Sequence, residues 1–179
     1  MSFLHPTPTE EAFITAAASG NLTLVERFAY PERSGSNRRP VRTSIADRGT
    51  GRNALIAASR NGRLEMVEYL VSVLNCNVDI RDAAGMTAVA HTVLVNSYGC
   101  CETLILTGGA DVNIRDLTGK APLHHAARRD GPSATAFIEL IIGAGAFLDL
   151  KDCSHGWTPY VHRAASSGVI CVLFIFIAW

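Results

Sequence analysis

Apolar and polar positions alternate between two textures along this chain. One is a short run of small apolar residues: Ala54 to Ser59, Ala88 to Val93 and Pro122 to Ala127. Each run predicts a thin helix that lets its neighbours approach closely, and Pro122 suits a first helical turn because its missing N–H is not needed there. The other texture is a longer, bulkier run. In "LEMVEYLVSVL", Leu64, Val67, Leu70, Val71 and Leu74 fall at i, i+3, i+6, i+7 and i+10, which predicts a helix over 64–74 with one face in a core. Extended links follow such runs: "NVDIRD", "GADVNIRD" and "GAFLDLKD". Gly109 and Gly145 stand where they would end the preceding helices.

The two textures recur with a period. "RDAAGMTAVAHTV", "RDLTGKAPLHHAA" and "KDCSHGWTPYVHRAA" align, with 34 residues from Asp82 to Asp116 and 36 from Asp116 to Asp152. Gly51, Gly85 and Gly119 are each 34 residues apart, and Gly156 follows after 37. Asp82 with Gly85, and Asp116 with Gly119, have the i, i+3 pattern of a type I turn. An earlier copy, "DRGTGRNALIAASRNG", begins near Asp47, and "EEAFITAAASGN" matches only the helical part. One such unit is too small to bury its own core, so the units must stack.

"APLHHAA" (121–127), "WTPYVHRAA" (157–165) and "GGADVNIRD" (108–116) resemble the ankyrin repeat, with its turn, T-P-L-H, two helices and G-A-D-V-N. The resemblance covers about residues 10 to 177 and implies an all-α, ankyrin-type solenoid of stacked helix-turn-helix repeats with extended, hairpin-like fingers. It divides a single domain, 1–179, into a degenerate N-terminal helix pair (9–30), a basic loop insertion (31–50), repeats over 51–81, 82–115 and 116–151, and an incomplete terminal repeat (152–179). It gives His124 and His162 a structural role, bonding backbone between repeats. It implies protein–protein binding through the concave face. Three departures stand out: an insertion, "RDGPSATAFIEL", in the 116–151 copy; one extra residue in "TPYVH"; and Ala90 in place of the motif histidine.

Composition narrows the chemistry. Apolar residues make up 48% and charged residues 18% of 179, in the range of a globular domain. Sixteen basic side chains balance sixteen acidic ones, so net charge suggests neither nucleic acid nor membrane as a partner. "MSFLHPTPTEEAF" lacks the features of a secretory signal. Five cysteines without a C-x-x-C point to reduced thiols in the cytoplasm or nucleus. "GTGRNA" lacks the Lys-Ser/Thr of a phosphate loop. His124 and His125 point about 100° apart on a helix and do not chelate one ion easily. Cys100 and Cys101 would bridge only with strain. The expectation is no cofactor, no metal and no catalysis.

The charges are polarised along the repeat. Arg81, Arg115 and Lys151 stand at equivalent positions just before the turn aspartates. Lys120 and Arg52 follow turn glycines, and Arg60, Arg128, Arg129 and Arg163 lie on the first helix or its exit. Glu65, Glu68, Glu102 and Glu139 fall on second helices. A basic concave groove for an acidic segment of another protein is expected, with Arg81, Arg115, Lys120, Arg128, Arg129 and Lys151 as its binding residues.

The last twelve residues, "GVICVLFIFIAW", carry no charge. As helix, the eleven after Gly168 span roughly 16 Å, about half a bilayer core. The reading is an unfinished terminal repeat whose apolar end favours self-association. Two alternatives remain: a tail-anchored membrane adaptor using residues 164–179, and a regulatory fragment of a longer multidomain enzyme.

Overall fold

A computed structural model describes residues 8–30, 46–47 and 49–160. Most of the basic loop, the histidine at 162, the arginine at 163 and the apolar tail therefore lie outside the described residues. Eight α-helices are seen among the described residues, and no strands: α1 Pro8–Ser19, α2 Leu22–Ala29, α3 Ala54–Arg60, α4 Leu64–Ser72, α5 Ala88–Leu94, α6 Tyr98–Glu102, α7 Pro122–Ala127 and α8 Pro132–Gly143. A π-helical turn, Thr103–Thr107, continues α6.

The helices form two layers. α1, α3, α5 and α7 stack on one another, and α2, α4, α6 and α8 each pack behind a member of that row. Alanine dictates the first layer: Ala16, Ala17, Ala54, Ala58, Ala88 and Ala126 are all buried, and with nothing beyond a methyl group they let neighbouring backbones approach. The second layer supplies bulk. Val67 and Leu70 are fully buried in α4, Leu104 in the π turn, and Phe137 and Ile141 in α8. One core runs continuously from Phe13 to Ile141. The apolar face expected for α4 is misplaced at its edge: Leu64 is 39% exposed while Met66 is buried at 1%. Leu64 lies at the helix start, against Gly99 of the next unit, so it covers a seam rather than filling the core.

Between helix pairs the chain projects as fingers. Each finger closes on its own aspartate. Gly85 N–H and Gly119 N–H donate to the carbonyls of Asp82 and Asp116, both at 2.9 Å, and Asp82 N–H and Asp116 N–H donate to Met86 and Lys120 carbonyls, also at 2.9 Å. Adjacent fingers then join through one backbone bond each: Ala83 N–H to Thr50 O (3.0 Å), Leu117 N–H to Ala84 O (3.0 Å) and Cys153 N–H to Thr118 O (2.9 Å). Further out, Asp111 N–H donates to Asp79 Oδ1 and Phe147 N–H to Asn113 Oδ1, so the links after the second helices are tied as well.

This geometry explains the 34-residue glycine spacing. Gly119 has φ +79°, and a Cβ there would lie 2.5 Å from Cys153 Sγ and 2.7 Å from Cys153 N. Both the left-handed backbone and the close approach of the next finger demand glycine. Asn96 takes a glycine-like conformation, φ 62°, between α5 and α6, as asparagine tolerates better than most residues. The inserted residues of the 116–151 copy become a turn at Gly131, φ 90°, from which α8 starts with Pro132 at its first position.

Gly119→Val is expected to cost at least about 1–3 kcal/mol of stability in urea titration. Gly143→Ala, where an added Cβ meets nothing within 4 Å, is the control and should change it by less than about 1 kcal/mol. Leu70→Ala, at a fully buried site, should lower stability by about 2–5 kcal/mol.

Candidate functional site

The inner face of the stack is built from finger bases and the exposed side of the first helices. Its central device is an aspartate used three ways. Asp82 Oδ1 accepts the Ala84 and Met86 amides, both at 2.9 Å, and Oδ2 accepts His91 Nε2–H at 2.8 Å. Asp116 repeats the pattern: Oδ1 takes the Thr118 and Lys120 amides, and Oδ2 takes His125 Nε2–H at 3.0 Å. The sequence carried a signal for these pairs, an Asp and a His nine residues apart in two consecutive repeats, which the motif-based reading passed over.

Burial raises the Asp82 pKa, but the hydrogen bonds from His91 and the backbone outweigh it and hold the carboxyl below its ordinary value. Asp116 is held low in the same way, by the Thr118 hydroxyl, the Lys120 amide and His125. For both imidazoles burial is the larger effect and lowers the pKa despite the carboxylate beside each. Arg52 and Arg60 add to the lowering at His91, and Lys120 and Arg128 at His125. Near neutrality each pair is thus a carboxylate holding a neutral imidazole.

His124 points elsewhere. Its Nδ1 accepts the Ala121 amide at 3.1 Å, so Nε2 carries the proton and donates to Leu150 O at 2.9 Å. It closes its own helix start, as a capping-box Glu would, and ties it to the next finger. The structural role expected of it is met, although by the 116–151 bounds the backbone it bonds closes its own copy.

The six basic residues divide into two kinds. Arg81 donates from Nε to Gly85 O (3.0 Å) and from a terminal nitrogen to Arg115 O (2.7 Å). Arg115 repeats this one finger on, to Gly119 O (2.8 Å) and to Lys151 O. Each guanidinium spans its own turn and the next. Arg129 donates to Val93 O (2.8 Å) and Leu94 O (3.0 Å), closing the end of α5 from the following repeat. Lys120 reaches Thr118 Oγ1 at 3.2 Å and Asp152 Oδ2 at 3.7 Å, with its side chain largely buried. Arg128, at the end of α7, and Lys151 are exposed, and neither side chain has a hydrogen bond or ion pair among the described residues. Two further cations join the face: Arg52, with Nε 3.8 Å from Asp82 Oδ2, and exposed Arg60 at the end of α3.

Opposite this face Glu65, Glu68, Glu102 and Glu139 are exposed on the second helices. Cys76, Cys100 and Cys101 are buried free thiols, and Cys153 is an exposed one. Burial pushes the Cys101 thiol up to about 11. Among the described residues no three His, Cys, Asp or Glu side chains are grouped to hold a metal, and no helix is long and apolar enough to cross a membrane.

The family model for ankyrin repeats in three copies matches residues 13–116 and 95–177. The chain belongs to the ankyrin-repeat family. It is similar to the ankyrin repeat protein nuc-2 of Neurospora crassa, 27% identical over 154 residues, which cover 68% of this chain and 14% of that protein. It is also similar to protein phosphatase 1 regulatory subunit 27 of Mus musculus, 31% identical over 90 residues, covering 50% of this chain and 56% of the relative. The chain thus spans a seventh and just over half of these two relatives. Ankyrin repeats generally mediate protein–protein interaction.

Acid should loosen this ankyrin stack in two steps. The folded pKa values of His91 and His125 lie below the unfolded value of about 6.5, so the unfolded chain binds more protons below that pH and stability falls there. The Asp82 and Asp116 values lie below the unfolded 3.8, so a second loss follows as pH drops beneath it. Urea midpoints across pH 3–8 should show a plateau above about 6.5, and a His91→Gln, His125→Gln variant should have a shallower slope between pH 5 and 6.5.

Proposed function

We propose that this chain is a non-catalytic binding module, an adaptor whose concave face takes an acidic segment of another protein. The observation that carries the reading is the row of cations on the inner face, Arg52, Arg60, Lys120, Arg128 and Lys151, beside neutral imidazoles and opposite a second-helix layer that bears glutamates. A cationic groove steers an acidic ligand and sets its orientation. In this reading Arg128 and Lys151, whose side chains are uncommitted, contact the partner. Arg81, Arg115 and Arg129 act at one remove: they keep finger and helix ends in register. The work takes place in the cytoplasm or nucleus, in keeping with four free thiols among the described residues. The mouse relative is named a regulatory subunit, which makes an enzyme under regulation one class of partner.

The test is fluorescence anisotropy of a labelled glutamate-rich peptide against the full chain at low and high salt. Arg128→Glu with Lys151→Glu should weaken binding by roughly tenfold or more and flatten its salt dependence. Affinity unchanged by the reversals would remove the groove from the account. Arg115→Met should instead lower stability, by about 1 kcal/mol for its exposed bonds.

A further inference from the structure

One register position sets the shape of the inner face. Ala57, His91 and His125 each lie four residues beyond the residue that caps their helix, Asn53, Thr87 and Ala121. In the two later repeats an imidazole fills this position and hydrogen-bonds to the finger aspartate. In the first repeat there is only a methyl group. The flanking positions match as well: Arg52 and Arg60 stand around Ala57 as Lys120 and Arg128 stand around His125.

Where the imidazole is missing, the face opens into a cleft of about 590 Å³. Ile14, Thr15 and Ala18 of α1 form one wall, and Arg52, Ala57 and Arg60 the other. Arg60 has no hydrogen bond or ion pair among the described residues. Arg52 Nε is buried without a hydrogen-bond acceptor. The nearest carboxylate oxygen, Asp82 Oδ2, is 3.8 Å away and already accepts His91. That Nε is turned toward Asp82 and away from solvent, whereas the side chain as a whole is 28% exposed and lines the cleft, so the charge of Arg52 is available there. Two acids border the cleft. Asp47 Oδ2 is occupied by the Thr50 amide (2.9 Å) and hydroxyl (2.6 Å), whereas Glu11 is exposed on the α1 rim.

We propose that this cleft is a carboxylate subsite: it receives an acidic side chain of a partner's extended segment between the Arg52 and Arg60 guanidinium groups. The proposal rests on the groove reading above and names the point at which the acidic segment is anchored. Guanidinium groups match a carboxylate's two oxygens in geometry and charge. The methylenes of the inserted side chain rest on Ile14, Ala18 and Ala57. Backbone on either side of it then continues along the inner face past His91 toward Arg128. Glu11 on the rim opposes the incoming charge and limits affinity for the acidic segment.

The probe is a fluorescein-labelled peptide of alternating glutamate and alanine, titrated with the full chain. Ala57→His closes the cleft with the residue this register already accepts in the next two repeats, so circular dichroism and melting temperature should stay near those of the unaltered chain. It should weaken the peptide by roughly tenfold or more, as should Arg60→Gln, because each removes a charge-assisted contact. Glu11→Gln should tighten binding. If Ala57→His fails to fold, Arg60→Gln and Glu11→Gln decide. Binding unchanged by Arg60→Gln yet weakened by Arg128→Glu overturns the cleft and leaves the groove. An unaltered chain that does not bind the peptide overturns both.

Discussion

The structure depends on one carboxylate per repeat. At the base of each later finger an aspartate gathers backbone amides on one oxygen, and in two repeats an imidazole from the following helix on the other. It thereby fixes the turn, the entry of the helix and the orientation of the groove lining in a single interaction. Burying a charge is costly unless it is fully hydrogen-bonded. Here both oxygens of Asp82 and of Asp116 accept hydrogen bonds, and the downward shift of both carboxyls reflects that. Once the finger is shaped this way, its outer edge is set to accept the next finger's amide, and the stack follows.

The fold class and family were legible because they are written in spacing. A 34-residue return of Asp and Gly, small residues in one helix and large ones in the next, is a statement about periodic packing, and packing is what side-chain pattern reports. Gly119 illustrates it: its position marked a turn, and its φ and the closeness of Cys153 give the reason. The candidate site was less legible. Arg81 and Arg115 stood at one register as cations, and register says nothing about carbonyl groups. Their partners, Arg115 O and Lys151 O, are backbone atoms one repeat away, which no side-chain pattern encodes. The pairing of His91 and His125 with the finger aspartates was missed for the opposite reason. Family resemblance drew the eye to the T-P-L-H histidine, one position earlier, and His124 does make the backbone bond that the motif implies.

Substitution at a shared register position is therefore the most informative kind of irregularity in this chain. Ala57, His91 and His125 are equivalent in backbone and different in volume, so the groove is uneven along its length although the scaffold beneath it is regular. Local shape comes from the exceptions, while stability comes from the rule.

The ties between fingers have a mechanical consequence. Arg81 bonds to the backbone 34 residues ahead, and Arg115 to that 36 residues ahead; each staple reaches one neighbour and no further. A force drawn along the stack is carried in series, across one joint between neighbouring units after another. Such a molecule yields unit by unit from its ends, as a spring that lengthens in discrete steps, and each released unit lengthens the tether while the units still stacked keep their shape.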